Sequence, residues 1–175
     1  MSKLKNLIFL ILLIFYIFQF NSNALDIPVI VIAPNKTTQS YSSVGSSVST
    51  MNEETISNSN NFFLGDTLNK NIPGMNYFRS GGYGTISGIQ LRGLPKRYST
   101  VFIDGVKMSD PSSSDNSFYF SNITNSSIKN VEILRGSQSS IYGSGAIGGA
   151  INIYTKNGED KNLNKFYVTQ QSNSF

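Results

Sequence analysis

Three glycines, Gly143, Gly145 and Gly148, are the residues whose spacing first suggests chemistry, because they fit the pattern G-x-G-x-x-G. In dinucleotide-binding proteins this spacing makes a tight turn that places a pyrophosphate on the N-terminus of the following helix. Such a site needs a strand before the glycines, a helix after them and an acidic residue about 20 residues further on. The chemistry would be the binding of a nucleotide phosphate.

The residues after the glycines predict a strand, whereas a phosphate site requires a helix at this place. Residues 149–155 read G-A-I-N-I-Y-T, and apolar Ile151 and Ile153 alternate with polar neighbours, which is typical of a half-buried strand. The acids that follow, Glu159 and Asp160, belong to a polar turn immediately after this strand. We therefore expect the glycines to allow a tight turn or close backbone packing, and not to bind phosphate.

The composition offers few other groups for catalysis or metal binding. The 175-residue chain has no histidine and no cysteine, so metal ligands would be oxygens and a catalytic base would be a carboxylate or a lysine. No arrangement of paired carboxylates or of a nucleophile beside a base stands out, so we predict that the chain is not an enzyme and binds no cofactor. Basic residues are scattered, which argues against a nucleic-acid partner.

The first 24 residues have the pattern of a secretory signal peptide. A short basic stretch precedes an apolar run over residues 7–20 that only Gln19 interrupts, and residues 22–24 read S-N-A at a possible cleavage site. The alternative is a retained membrane anchor, but the run is shorter than the roughly 18 to 20 residues that span a bilayer. We predict cleavage after Ala24, which lowers the formal charge from +4 to +2 because Lys3 and Lys5 are removed.

An apolar segment and then a polar tract follow the predicted cleavage site. Residues 26–33 read D-I-P-V-I-V-I-A, and Pro28 and Pro34 block a helix and keep the segment extended. The Ser/Thr/Asn-rich residues up to Ser49 bury too little apolar area to offset their ordering entropy. The segment therefore fits a tethered strand that pairs with the sheet edge of a partner, or equally an ordinary first strand of the domain.

Residues 51–157 have the pattern of one small α+β domain with a mixed β-sheet, short helices and glycine-rich loops. Asn52 or Thr50 can cap a first helix, and apolar residues recur at roughly helical spacing over residues 62–68. Because the core is thin for independent stability, we expect the domain to pack inside another structure. The predicted strands cover residues 75–78, 89–92, 100–104, 106–108, 128–134 and 149–155.

Several motifs in this domain occur in an order that resembles one family. They are G-D-T-L at 65–68, I-P-G-M at 72–75, I-Q-L-R-G at 89–93, V-F-I-D-G-V at 101–106, V-E-I-L-R-G at 131–136 and I-N-I at 151–153. From about Asn52 to Lys156 the chain resembles the plug domain of TonB-dependent outer-membrane transporters. The general likeness is to vitamin B12 and siderophore receptors.

This resemblance implies a folded plug inside a 22-stranded outer-membrane β-barrel. The implied partners are the receptor's own barrel, a metal-chelate ligand, and TonB with ExbB and ExbD, which energise uptake from the inner membrane. The segment before the domain resembles the TonB box that TonB captures by strand addition, although Pro28 comes early and Ile32 stands where threonine is frequent. The candidate TonB box is Asp26, Ile27, Pro28, Val29, Ile30, Val31, Ile32 and Ala33.

The resemblance also assigns candidate ligand residues to two plug loops, residues 79–85 and 109–116. Arg79 would pair with an anionic chelate, and Tyr83 would stack on an apolar face of the ligand. Asp110 and Asp115 would accept hydrogen bonds or help to hold a hard cation such as Ca²⁺, and Ser112 is a further ligand candidate in the same loop. For each of these residues the simpler alternative is a solvated loop side chain.

Two arginines and the end of the chain complete the implied organisation. Arg92 and Arg135, each before a glycine, would pack the plug against the barrel through ion pairs with barrel carboxylates. Residues 158–175 fit the start of a first barrel strand. We expect the N-terminal part of an outer-membrane receptor, truncated before its barrel, or exported to the periplasm if the chain is made in this form. The alternative is a stand-alone periplasmic plug-like module that binds a ligand or TonB without transport.

Overall fold

The structure, a computed structural model, describes residues 30–31, 37, 39–40 and 45–157. In this part of the chain the helices are α1 (Glu53–Ser57), α2 (Leu64–Asn71) and α3 (Ser139–Tyr142), and short 3₁₀ turns occupy Lys96–Tyr98 and Asn125–Ser127. The strands are β1 (Ile30–Val31), β2 (Gln39–Ser40), β3 (Ser47–Asn52), β4 (Met75–Arg79), β5 (Ser87–Leu91), β6 (Ser99–Ile103), β7 (Val106–Met108), β8 (Ile128–Arg135) and β9 (Gly149–Thr155).

A mixed five-stranded sheet organises the domain, with the strand order β3-β8-β9-β6-β7. Strand β8 runs antiparallel to both β3 and β9, whereas β9 runs parallel to β6. Strands β4 and β5 form a separate antiparallel hairpin, and β1 pairs with β2. These elements confirm the expected α+β fold with a mixed sheet and short helices.

Both faces of the central strands are covered. On one face, Val131 and Ile133 of β8 and Ile151 and Ile153 of β9 pack in the same core as buried residues of α1, α2, β4 and β5. The strand predicted for residues 149–155 is therefore confirmed, but the expectation that it is half-buried is wrong, because Gly149 to Ile153 are all buried. On the other face a smaller cluster includes residues of α3 and of the glycine-rich segment. Its buried members are Val48, Phe102, Leu134, Tyr142, Ala146 and Ala150.

The first helix begins where the sequence predicts. Asn52 is its N-cap, and the Asn52 side-chain oxygen accepts a 3.0 Å hydrogen bond from the backbone N–H of Thr55. This bond satisfies one of the N–H groups that have no partner within the helix, and Glu53 and Glu54 in the first turn complement the helix dipole. Asn52, one of two alternatives in the sequence, is thus confirmed as the cap.

Two elements differ from the sequence expectations. Residues 47–50, assigned to the polar linker, belong to strand β3, because Val48 and Met51 are buried on opposite faces and the backbone pairs with β8. Helix α3 was not predicted, since its four residues are too few to show a helical period. It ends at Gly143, whose φ of 86° favours glycine.

The glycine-rich segment has the geometry of a turn between α3 and β9. The helix precedes the glycines and a strand follows them, which is the reverse of the order that a phosphate site requires. A Cβ at Gly148 would lie 3.1 Å from the carbonyl oxygen of Tyr98 and 3.3 Å from Leu94 Cδ1. The expectation of close backbone packing is therefore confirmed. Over the described residues, no helix is long and apolar enough to cross a membrane.

Candidate functional site

The β4–β5 hairpin presents the first candidate ligand loop at its tip. Its register runs from Met75 opposite Leu91 to Arg79 opposite Ser87, so residues 80–86 form the connecting loop. The Ser80 backbone N–H donates a 2.9 Å hydrogen bond to the Ile86 carbonyl, which closes the base of the loop. The loop projects from the hairpin, and its largest side chain, that of Tyr83, is 55% exposed.

Arg79 has a charged partner within the chain. Its Nη2 atom lies 2.7 Å from Oδ1 of Asp66, which is in the first turn of α2, and both side chains are partly buried. The guanidinium also lies 4.6 Å from the ring centroid of Tyr83 and 5.5 Å from that of Tyr77. Arg79 therefore orients Tyr83. An anionic ligand at this point would compete with Asp66 for the Arg79 guanidinium.

Tyr83 is the exposed end of an aromatic stack. Its ring stacks on Phe63 with a centroid distance of 5.4 Å and an interplanar angle of 26°. Phe62, which is 40% exposed, meets Phe63 edge to face at 4.9 Å. The sequence pattern placed both phenylalanines in a helix, but α2 begins at Leu64 and both rings belong to the stack. The stack holds a broad aromatic surface at the hairpin tip.

In the second candidate loop, residues 109–116, the carboxylate of Asp110 accepts its hydrogen bonds from within the loop. Asp110 Oδ1 accepts hydrogen bonds from the Ser112 backbone N–H at 2.9 Å and from Ser112 Oγ at 2.6 Å. The hydroxyl bond, and after it the backbone bond, holds the pKa of Asp110 below its ordinary value of 3.8. Asp110 and Ser112 thus form a local turn.

Asp115 ties the same loop to the rest of the domain. Its carboxylate accepts bonds from Ser113 Oγ and the Ser117 backbone N–H, each at 3.2 Å, and it lies 3.6 Å from Lys96 Nζ. The side chain of Ser117, more than its backbone N–H, holds the pKa of Asp115 below its ordinary value. Among the residues that the structure describes, no three His, Cys, Asp or Glu side chains converge as metal ligands. Within the described part of the chain, the two loop aspartates therefore lack a third such residue for holding a cation.

The two motif arginines, Arg92 and Arg135, both contact the turn at residues 73–74, in another part of the domain. Arg135 Nη1 donates a 2.9 Å hydrogen bond to the Pro73 carbonyl, and its Nε is buried without a hydrogen-bond partner in the described part of the chain. Arg92, with a φ of 54°, donates its backbone N–H to the Gly74 carbonyl at 2.8 Å. A Cβ at Gly136 would lie 3.3 Å from Arg92 Nη1, so this guanidinium lies against the residue that follows Arg135.

A comparison of the sequence with known protein families agrees with the observed hairpin, mixed sheet and arginine–glycine motifs. Residues 40–150 match the family described as TonB-dependent Receptor Plug Domain. The chain belongs to this family. The match covers most of the five-stranded sheet and the whole β4–β5 hairpin, and it includes both candidate loops.

Relatives of the plug are transporters and receptors. The chain is 36% identical over 126 residues to the vitamin B12 transporter BtuB of Vibrio vulnificus (strain YJ016), an alignment that covers 72% of this chain and 20% of that protein. The chain thus spans about a fifth of the length of the curated relatives it matches.

Solved receptors share the fold. The siderophore receptor PiuA from Acinetobacter baumannii aligns with a TM-score of 0.50 and 26% identity, over 65% of this chain and 15% of that chain. The ferripyoverdine receptor of Pseudomonas aeruginosa aligns with a TM-score of 0.61 and 15% identity, over 74% of this chain and 16% of that chain. At the latter identity the similarity shows the fold alone.

The candidate TonB box of the plug is described at two positions, Ile30 and Val31, which form β1. Ile30 lies opposite Ser40 and Val31 opposite Gln39 in β2. The other six residues of the candidate box lie outside the described residues, as do the predicted signal peptide and residues 158–175.

The lowered pKa of Asp110 gives a testable pH dependence. Its carboxylate form stabilises the plug loop above the unfolded-state pKa, and this contribution is lost as the pH falls through the lower folded-state pKa. We expect Ser112→Ala to raise the pKa of Asp110 toward 3.8, because both the principal hydrogen bond and the turn are weakened. Carboxyl NMR titration measures this shift. Ser114→Ala, at an exposed position in the same loop, is the control, and equal pKa values in both variants would contradict the assignment.

Proposed function

We propose that this chain is the plug portion of a TonB-dependent outer-membrane receptor for active uptake of a metal chelate such as a siderophore or cobalamin. The observation that carries the proposal is the family match over residues 40–150, which coincides with the described plug fold. In this function the chain is not an enzyme. It acts in the outer membrane within its own barrel, and TonB with ExbB and ExbD supplies the energy.

The N-terminal segment is the coupling site in this proposal. Residues 26–33 add as a strand to a sheet edge of TonB, and main-chain hydrogen bonds supply the affinity. The β-branched residues of I-P-V-I-V-I favour the extended conformation that such pairing needs. TonB then transmits force to the plug through strand β3, the first strand of the five-stranded sheet.

The aromatic stack is the ligand site in this proposal. Tyr83 offers an exposed ring, Phe63 supports the ring, and Arg79 holds it in place. Because Asp66 pairs with Arg79, the surface favours an apolar or aromatic face of the ligand over an isolated anionic group. The ligand thus contacts the plug through a planar or apolar part of the chelate.

The two arginines hold the plug in the barrel in this proposal. The Arg92 guanidinium lies against Gly136, and Arg135 Nε is buried without a hydrogen-bond partner among the described residues. Barrel carboxylates at this point would complete the hydrogen bonding and balance the charge. Removing either arginine would leave a barrel carboxylate uncompensated.

The ligand role of Tyr83 is tested in the full-length receptor. Growth of a receptor-deficient host on ferric chelates, haem and cobalamin first identifies the ligand. We then expect Tyr83→Ala to weaken ligand binding to whole cells by about 10-fold to 100-fold, the effect of truncating an aromatic side chain that the bound ligand covers.

Two control variants test whether the loss of binding is due to the aromatic ring of Tyr83. Tyr83→Phe keeps the ring and should bind as wild type does, and Val106→Ala changes an apolar side chain that is 64% exposed on the edge strand β7. Wild-type affinity in Tyr83→Ala would show that the hairpin tip is only a solvated loop.

A further inference from the structure

The α1–α2 connection, residues 58–63, carries both phenylalanines of the aromatic stack but forms no regular helix or strand itself. Phe63 makes an isolated antiparallel bridge with Thr124, and the Asn125 backbone N–H donates a 3.1 Å hydrogen bond to the Phe62 carbonyl. The position of the two rings therefore depends on the segment that carries Thr124 and Asn125.

The side-chain amide of Asn125 is a second link to this connection. Its Nδ2 atom lies 2.6 Å from the Asn61 carbonyl oxygen, 2.9 Å from Ser59 Oγ and 2.8 Å from Thr67 Oγ1 in α2. A carbonyl can only accept, and the Ser59 hydroxyl already donates to the Ile56 carbonyl at 2.7 Å, so the amide nitrogen has to face these oxygens. Asn125 is therefore a hydrogen-bond donor to the connection and to α2.

The other polar atom of this amide makes no comparable contact. Asn125 Oδ1 is buried and has no hydrogen-bond partner among the described residues. A buried acceptor without a donor is destabilising, so the favourable contribution of the amide comes from its donor side. That side holds Asn61, which immediately precedes the two phenylalanines in the chain.

We propose that Asn125 is a positioning residue of the ligand surface, which fastens the α1–α2 connection so that the Tyr83 ring has Phe63 to stack on. This inference rests on the proposed function, in which Tyr83 contacts the ligand. Phe63 supports the Tyr83 ring at a centroid distance of 5.4 Å, so a displacement of the connection removes this support. Asn125 acts through the rings and does not itself touch the ligand.

The segment before Asn125 also joins the two candidate ligand loops. Residues 109–116 lead through Ser121 to Asn125, and Ser121 Oγ lies 3.3 Å from Oγ of Ser87, the first residue of β5 after the hairpin loop. Both serines are buried. The segment is thus fixed to the hairpin at Ser121 and to the aromatic stack at Asn125, so a shift at Asn125 alters the spacing of both loops.

The isosteric change Asn125→Asp tests this role, because it keeps the shape of the side chain and replaces its donor by an acceptor. A carboxylate oxygen would then face the Asn61 carbonyl. We expect the NMR cross-peaks between the rings of Phe63 and Tyr83 to disappear in the 175-residue chain, and Asn125→Ala should give the same loss without an added charge. Asn122→Asp adds the same charge at an exposed residue of this segment and should keep the cross-peaks.

Urea unfolding of the same samples separates positioning from folding. We expect both Asn125 variants to unfold cooperatively, as a folded plug does. Cross-peaks that persist in both variants would overturn the proposal. Loss of cooperative unfolding in both would also overturn it, because Asn125 would then be needed for the fold itself.

Whole-cell binding by the full-length receptor separates this inference from the proposed function. The probe is the purified chelate that supports growth of the receptor-deficient host. We expect Asn125→Asp to weaken its binding at least about 5-fold, and to weaken it no further when combined with Tyr83→Ala, since both changes act on one stack. Losses that multiply in the double variant would overturn the positioning role. If Tyr83→Ala binds as wild type does, the proposed ligand site fails, and Asn125 positions the rings for no ligand.

Discussion

Gly149→Ala should destabilise the plug by about 3–5 kcal/mol, the combined range for a strained backbone and an overpacked core. Gly149 begins β9 with a φ of 150°, and it pairs with Arg135 of β8 and Ser99 of β6. A Cβ there would overlap the Leu134 carbonyl oxygen and lie 2.8 Å from Leu91 Cδ1. No side-chain rotation relieves an overlap with the backbone, so the central strands would have to separate.

Urea unfolding followed by circular dichroism measures this loss. Gly82→Ala is the matched control, because a Cβ at Gly82 meets no heavy atom within 4 Å in the hairpin loop. Its free energy of unfolding should stay within about 0.5 kcal/mol of wild type, as for surface changes away from special features. Equal unfolding midpoints for the two variants would show that β9 does not approach β8 and β5 as closely as the structure indicates.

Ile30→Pro should lower the affinity of the chain for the C-terminal domain of TonB at least about 100-fold. Proline has no backbone N–H and cannot donate to an added strand, which depends on main-chain hydrogen bonds. The substitution also disturbs the pairing of β1 with β2, and a loss of binding despite this shows that pairing with TonB needs the Ile30 backbone. Tyr83→Ala should leave this affinity unchanged, and wild-type affinity in Ile30→Pro would move the TonB box elsewhere.

The sheet was predictable where local patterns and tertiary packing agree. Ile151 and Ile153 point to one core because both are apolar at strand spacing, and Asn52 caps α1 through a contact only three residues away. Strand β3 was missed because its Ser and Thr residues mask two buried positions, Val48 and Met51, that lie on opposite faces. Pairing with β8, whose paired residues lie 78 to 88 positions later, creates this strand.

The burial of one carboxylate also could not be predicted from the sequence. Glu132 is 0% exposed on the sheet face that carries Leu134, between Thr50 of β3 and Asn152 of β9. Asn130 Nδ2 donates a 3.4 Å hydrogen bond to it. Burial, and then the nearby Glu132 charge, raises the pKa of the Tyr154 hydroxyl above its ordinary value. From the sequence V-E-I-L alone, Glu132 would be expected on a solvent-exposed face of the strand. No nearby residue in the sequence indicates that another segment covers this face.

The hairpin loop that carries Tyr83 was predictable from the sequence, but the contacts of its side chains were not. The glycines of the hairpin loop and the exposed Tyr83 follow from the sequence. The salt bridge from Arg79 to Asp66 and the stack of Tyr83 on Phe63 join residues 13 and 20 positions apart, so they depend on how α2 packs against β4. This packing gives Arg79 a carboxylate partner and places its guanidinium over the ring of Tyr83.

The measurement that tests the proposed uptake most directly is ligand accumulation in cells that carry the full-length receptor, with and without an uncoupler of the proton-motive force. We expect wild-type cells to accumulate the ligand only while they are energised, and Ile30→Pro cells to bind it at the surface without accumulating it. Accumulation that continues in the uncoupled cells or in the Ile30→Pro cells would contradict the proposed TonB-dependent uptake.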